Sequence, residues 1–150
     1  MRVVIQRVSE ASVSINGLKK SSIEDGLLIF LGIESTDTKV DIDFLVKKIV
    51  NLRIFNDINR VMNKSILEIN GEIMCVSQFT LHASTKKGNR PSYIRAAKPE
   101  FAIQMYNIFC TELSNTQNKS IKTGEFGANM QIELINDGPV TIIIDSKNRD

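Results

Sequence analysis

Apolar residues recur at alternate positions where the chain begins: Val3 and Ile5, then Val13 and Ile15, punctuate an extended stretch that ends at Asn16-Gly17. That period turns one face of a strand inward, and Asn-Gly is a strong signal for a tight hairpin turn. From Leu27 to Ile33 the alternation gives way to a continuous apolar run, fit for a central strand buried on both faces. Val40, Ile42, Leu45, Val46, Ile49 and Val50 then fall near helical spacing, with Asp37 or Thr38 available as N-cap. Arg53-Ile54-Phe55 predicts a short strand before the polar turn Asn56-Asp57-Ile58-Asn59, and Glu72 to Leu81 predicts another, just after Asn70-Gly71. A polar loop, His82 to Ser92, precedes a second helix, which Pro99 opens at its first position. Phe101, Met105, Ile108, Phe109 and Leu113 form the stripe that this helix would bury. Met130 to Ile135 and Val140 to Ile144 predict a closing hairpin around Asn136-Asp137-Gly138-Pro139. The fold class is α+β, a mostly antiparallel sheet covered by two helices.

Composition narrows this picture. The 150 residues, 42% of them hydrophobic, suit one domain spanning 1–150, and no linker or internal repeat divides them. A net charge of +2 neither demands nor excludes a polyanionic partner, so any nucleic-acid contact must come from a local patch. Cys75 and Cys110 lie too far apart for a zinc motif or a disulfide framework, and read as two buried thiols in a reducing compartment. The start, Met1-Arg2-Val3-Val4-Ile5-Gln6-Arg7, turns polar too soon for a signal peptide, and no apolar run approaches a membrane span. The expectation is a soluble, cytoplasmic protein with no membrane partner.

Candidate chemistry is sparse. His82, the one histidine, could serve as a general base, but it has no evident partner and the plainer expectation is a surface loop residue. No cluster has metal-ligand spacing, and Thr123-Gly124-Glu125-Phe126-Gly127 lacks the rest of a nucleotide-binding fingerprint, so neither metal nor cofactor is expected. Lys86, Lys87 and Arg90, beside Tyr93 and Arg95, form either a solvated turn or a grip on a phosphate backbone. Ser77 and Thr80 would need an adjacent base to act as nucleophiles, and none is visible. Pro139 has two readings. It opens an edge strand, where a missing N–H is harmless, or it forms a cis Gly-Pro bond, for which glycine leaves room.

Two stretches decide between these readings. Ser77-Gln78-Phe79-Thr80-Leu81, taken with Asn136-Asp137-Gly138-Pro139-Val140-Thr141, resembles the signature pair of the D-aminoacyl-tRNA deacylases. Ile5-Gln6-Arg7-Val8, Gly26-Leu27-Leu28 with Leu31-Gly32, Arg53-Ile54-Phe55, Gly88-Asn89-Arg90-Pro91-Ser92 and the segment from Thr123 to Met130 fall in the family's order. The resemblance covers nearly the whole chain. It implies a homodimer with a barrel-like core and two covering helices. It also implies a cis Gly138-Pro139 bond that projects into the partner's pocket to exclude L-aminoacyl substrates. Ser77, Gln78, Phe79 and Thr80 match the strand end facing the aminoacyl ester, where hydrolysis is assisted by the substrate's own ribose 2′-hydroxyl. Met130 and Phe126 match walls around the terminal adenosine or the turn, Arg7 a brace beneath Gly-Pro, and Ala96 a small residue that keeps the pocket open. His82 matches no family motif. A rigid backbone element suits chiral exclusion. Rejecting the mirror-image substrate by ~10⁴ requires about 5.5 kcal/mol, whereas one methylene in an apolar pocket discriminates by roughly 1–3 kcal/mol. Two other classes remain: an editing module of the same fold, as attached to some threonyl-tRNA synthetases, and a non-catalytic nucleic-acid binder.

Overall fold

The alternation at the N-terminus yields one 14-residue strand, β1 (Arg2–Ile15), on which the sheet is assembled. The computed structural model describes residues 1–149. Asn16 and Gly17 both take positive φ, 51° and 76°, the conformation a two-residue hairpin needs, and return the chain as β2 (Leu18–Ile23). Next come β3 (Gly26–Gly32), α1 (Lys39–Asn51), the small pair β4 (Phe55–Asn56) and β5 (Met62–Lys64), and β6 (Glu72–Ser77). A 3₁₀ turn (Phe79–His82), α2 (Pro99–Gln117), β7 (Lys122–Thr123) and the long β8 (Met130–Asp145) complete the chain.

All three pairings of β1, with β2, β3 and β8, are antiparallel, whereas β3–β6 and β6–β7 are parallel. The sheet is therefore mixed, because α1 lies in the connection between β3 and β6 and carries the chain back in the same direction. β8 runs along β1 from Ile15 to Arg2, so β2 and β3 share the other edge of β1, one at each end. The sheet thus wraps towards a barrel, with a Ser21 Oγ to Thr123 O hydrogen bond linking β2 to β7.

The continuous apolar run of β3 is explained by two cores. Leu27, Ile29 and Leu31 face the one shared with α1 and α2, while Leu28 joins Val8, Val13, Met74 and Val76 in the other. β6 divides in the same way, Ile73 and Cys75 against Met74 and Val76, as the period of a strand requires. Thr38 caps α1, its N–H donating to Asp41 Oδ2 at 2.8 Å, and Pro99 occupies the first turn of α2.

Five expectations are corrected. No hairpin surrounds Asn136-Asp137-Gly138-Pro139: β8 is one 16-residue strand whose two halves both pair with β1. Because β1 is continuous, it templates both segments, and the signature becomes a protrusion within a single strand. The strand predicted from Glu72 to Leu81 stops at Ser77, since Gln78 N makes a last bond to Leu31 O at 2.8 Å before the chain coils. On α2, Ala102 and Tyr106 are buried while Ile108 is 41% exposed, because the helix presents a neighbouring stripe to the core. The short strand expected at Arg53 to Phe55 lies at Phe55–Asn56. His82 is 1% exposed rather than a surface loop residue, because the 3₁₀ turn folds it under Gly32. Cys75 is buried and Cys110 partly so, both as free thiols.

Candidate active site

Where β6 ends, three chain segments meet around an apolar cleft of about 770 Å³. Ser77, Gln78 and Phe79 form one side, Tyr93, Ala96 and Ala97 another, and Phe126 to Met130 a third. Each wall has a local cause. Ala97 N donates to Ile33 O at 2.9 Å and Glu34 bridges Ala96, which fixes the second segment against the end of β3. Phe126 rests on Tyr106 with ring centroids 5.8 Å apart, and the Tyr106 hydroxyl donates to Cys75 O at 2.7 Å. A Cβ on Gly124 would collide with Met130 Sδ, so this glycine makes room for the methionine wall.

Of the residues expected at the site, Ser77, Gln78, Phe79, Ala96, Phe126 and Met130 line this cleft together. Phe79 is 56% exposed and meets Tyr93 edge to face, ring centroids 5.0 Å apart, forming an aromatic rim. The Thr80 hydroxyl accepts from Gln78 Nε2 at 2.5 Å, so a neutral amide rather than a base engages it. The first N–H groups of a 3₁₀ turn have no partner within the turn, which leaves the Phe79 and Thr80 amides as donors; Phe79 lines the cleft, whereas Thr80, the next residue, does not.

Gly138 and Pro139 lie outside this cleft. Between the Val8–Asn136 and Gln6–Thr141 pairs, one β1 residue, Arg7, faces the four-residue stretch Asp137 to Val140. That stretch bulges out of the ladder, and Pro139 needs no N–H there. The Gly138–Pro139 bond is cis, and Gly138 takes φ 119°, a region that L side chains rarely adopt. Arg7, 6% exposed, lies beneath: Nη1 donates to Ile54 O at 2.6 Å, and Nε stands 3.2 Å from Asp137 O and 3.0 Å from Asp137 Oδ2. Asn136 Nδ2 staples the base of the bulge, donating to Arg7 O at 3.0 Å and Val140 O at 2.9 Å.

Lys86, Lys87 and Arg90 sit on an exposed loop whose neck is closed by reciprocal Ser84–Ser92 backbone bonds of 2.8 and 2.9 Å. Among the described residues no group of three His, Cys, Asp or Glu side chains is placed to hold a metal ion, and no helix is long and apolar enough to cross a membrane. Sequence reasoning missed the surroundings of His82. Glu34 Oε1 stands 3.3 Å from His82 Nδ1 and 2.7 Å from Arg95 Nη2. Burial holds the imidazole below its ordinary pKa, against the opposing pull of the Gly32 backbone and the Glu34 carboxylate. No spacing signal links residues 34, 82 and 95, so only the fold could reveal them.

Comparison with known proteins identifies the family. A family model described as D-Tyr-tRNA(Tyr) deacylase matches residues 4–145. A D-aminoacyl-tRNA deacylase of Bacteroides fragilis is 67% identical over 150 residues, and one of Flavobacterium johnsoniae 60%, each alignment covering the whole of both chains. Among solved structures, one named c-Myc DNA Unwinding Element Binding Protein superposes with a TM-score of 0.92 at 43% identity, covering 97% of this chain and 98% of that one. A probable eukaryotic D-amino acid tRNA deacylase shares the fold, with a TM-score of 0.83 at 16% identity over 95% of this chain and 97% of that one.

Proposed function

This chain belongs to the D-aminoacyl-tRNA deacylase family, and we propose that the cleft at the end of β6 is where it hydrolyses the ester joining a D-amino acid to the terminal ribose of tRNA. The observation that carries this assignment is the convergence of Ser77, Gln78 and Phe79 with Ala96, Phe126 and Met130 around one apolar cavity. The Phe79 and Thr80 amides would stabilise the developing oxyanion, each such donor being worth ~2.7–4 kcal/mol in other enzymes. Ala96 keeps the entry open, and Phe126 with Met130 flanks the terminal adenosine. The substrate's 2′-hydroxyl activates water, consistent with a Thr80 hydroxyl held by an amide.

The protein acts as a homodimer in this reading, and Gly138 and Pro139 of one copy enter the cleft of the other. What supports this is position: the bulge lies outside its own chain's cleft, exposed at the tip and braced from below by a buried arginine. Lys86, Lys87 and Arg90 attract the tRNA phosphates, and the cytoplasm is the site of action, where aminoacyl-tRNA is used. A second reading, nucleic-acid binding without catalysis, is favoured by the exposed basic loop and by the DNA-binding name of the 43% identical structure.

One assay separates these readings. D-Tyr-tRNA and L-Tyr-tRNA are incubated with the protein, with and without EDTA. The expected result is chelator-insensitive release of D-tyrosine with the L ester left intact. Binding without turnover selects the second reading, and comparable cleavage of the L ester removes the chiral gate.

A further inference from the structure

Among the buried ionisable groups that the mechanism leaves unused, His82 lies just past the strand end at the cleft. The His82 side chain is fully buried on the same 3₁₀ turn that carries Thr80 and presents Phe79 to the cleft. Its Nδ1 faces Glu34 Oε1 at 3.3 Å without the alignment of a hydrogen bond, and Nε2 has no hydrogen-bond partner among the described residues. The same oxygen of Glu34 holds Arg95 at 2.7 Å, and the backbone of Glu34 bridges Ala96 in the opposite wall. One carboxylate oxygen therefore stands between the turn at one side of the cleft and the segment at the other, paired with Arg95 and only close to His82.

We propose that Glu34 is a positioning residue for deacylation: its carboxylate clamps Arg95, and with it the Ala96 wall, beside the turn carrying Phe79 and Thr80, and protonation of His82 loosens that clamp. The direction follows from unequal exposure. The Arg95 side chain is 54% exposed and water accepts it readily if it is released, whereas His82, once charged, has no access to water. A buried imidazolium draws Glu34 Oε1 towards itself, with the Gly32 backbone as its other acceptor, and so competes with Arg95 for that oxygen. Other charges near His82 do not supply a competing anion. Arg2 donates to Leu81 O at 2.8 Å and pairs with Asp145, and Asp37 is engaged by the Met1 amine at 2.5 Å with Lys147 at 3.6 Å. Because burial holds His82 below its ordinary pKa of about 6.5, the neutral, clamped state prevails at neutral pH and the clamp is lost as pH falls below that value.

The inference rests on the deacylase reading, so the test follows D-Tyr-tRNA turnover by the full chain from roughly pH 5 to pH 8, with a thermal melt for each variant. The wild-type KM should rise several-fold on the acid side while kcat changes less. His82→Gln should flatten that acid limb and keep the rate at neutral pH. Glu34→Gln should raise KM about tenfold at neutral pH. Arg95→Ala, a change on the surface that leaves the core intact, should match it, and Arg95→Lys should recover most of the loss. If Glu34→Gln lowers only the melting temperature, or His82→Gln retains the wild-type acid limb, the clamp is wrong. A lower KM in Glu34→Gln would show that Arg95 is merely a phosphate ligand restrained by its partner, and would also overturn the proposal. Absence of wild-type turnover would be a different failure, that of the deacylase reading itself, and the clamp would fall with it.

Discussion

The bulge at Gly138-Pro139 and the loop at Lys86 to Arg90 both expose backbone to solvent, yet they are built in opposite ways. Beneath the bulge lie a buried arginine and an asparagine that together make hydrogen bonds to Ile54, Asp137, Arg7 and Val140. Among the described residues the basic loop is tied only at its neck, by the Ser84–Ser92 pair, and its charged tips reach into water. The difference corresponds to what the proposed function asks of each. Excluding a mirror-image substrate requires an element that does not move aside, whereas attracting a polyanion requires charge acting through solvent, where close placement matters little. Rigidity is therefore concentrated where the proposed function places selectivity.

The sharpest way to break this comparison is to remove the brace. Arg7→Ala leaves the Ile54 and Asp137 carbonyls unpaired, and each loss costs about 1–3 kcal/mol. We expect a clear fall in melting temperature together with a loss of D-Tyr-tRNA cleavage of a hundredfold or more. An Arg7→Ala protein with full activity and unchanged D/L ratio would show that the bulge holds its shape unaided.

Gly138→Ala tests the tip. A Cβ there would lie 2.7 Å from Arg7 Nη2 and 2.9 Å from Val140 Cγ2, on a residue whose φ is 119°. Strain of this kind costs of order 1–3 kcal/mol, small enough for the fold and the proposed dimer to survive. The D/L deacylation ratio or the D-activity should fall in both cleft copies together, read against elution volume and melting temperature. A folded, dimeric variant with both quantities unchanged would reduce the bulge to an ordinary irregularity.

A smaller effect is expected at the strand end. Thr80→Ala removes the acceptor for Gln78 Nε2 and should slow turnover about tenfold without abolishing it, if substrate and backbone carry the chemistry. Trapping an acyl-enzyme on Thr80 by mass spectrometry would overturn that mechanism. Neutralising Lys86, Lys87 and Arg90 together should weaken tRNA binding for both stereoisomers and flatten its salt dependence, by a slope of up to about 0.9 per lost contact. Collapse of turnover with an unchanged salt slope would move these residues into the pocket. Smallest of all at neutral pH is His82→Ala. Its cavity should lower the melting temperature, but the rate should stay within a few-fold of the parent. A hundredfold loss, ~2.7 kcal/mol at 1.36 per tenfold, would reinstate histidine as a general base.

Local rules carried far into this chain. Asn16-Gly17, the apolar run of β3, the capped start of α1 and Pro99 at the head of α2 were all legible, because each depends on residues within a few positions of one another. The motif fragments likewise marked the segments that form the cleft, since Ser77 to Phe79 and Phe126 to Met130 carry their character in consecutive residues. What the sequence could not determine was long-range. Alternation on both sides of Asn136-Asp137-Gly138-Pro139 looks the same for a hairpin as for one strand interrupted by a bulge, and the choice is made by β1, at the opposite end of the chain. The end of β6 was obscured because Phe79 and Leu81 continue an apolar alternation that the backbone abandons at Ser77. His82 looked like a loop residue because polar neighbours follow it in sequence, but burial depends on what packs over a side chain, and Gly32 and Glu34 come from another part of the chain. Sequence by itself thus determined the elements and the family, through short-range periodicity and contiguous motifs. The tertiary structure alone decided which strand templates the bulge and which carboxylate faces the buried imidazole, because both depend on contacts between residues that share no local pattern.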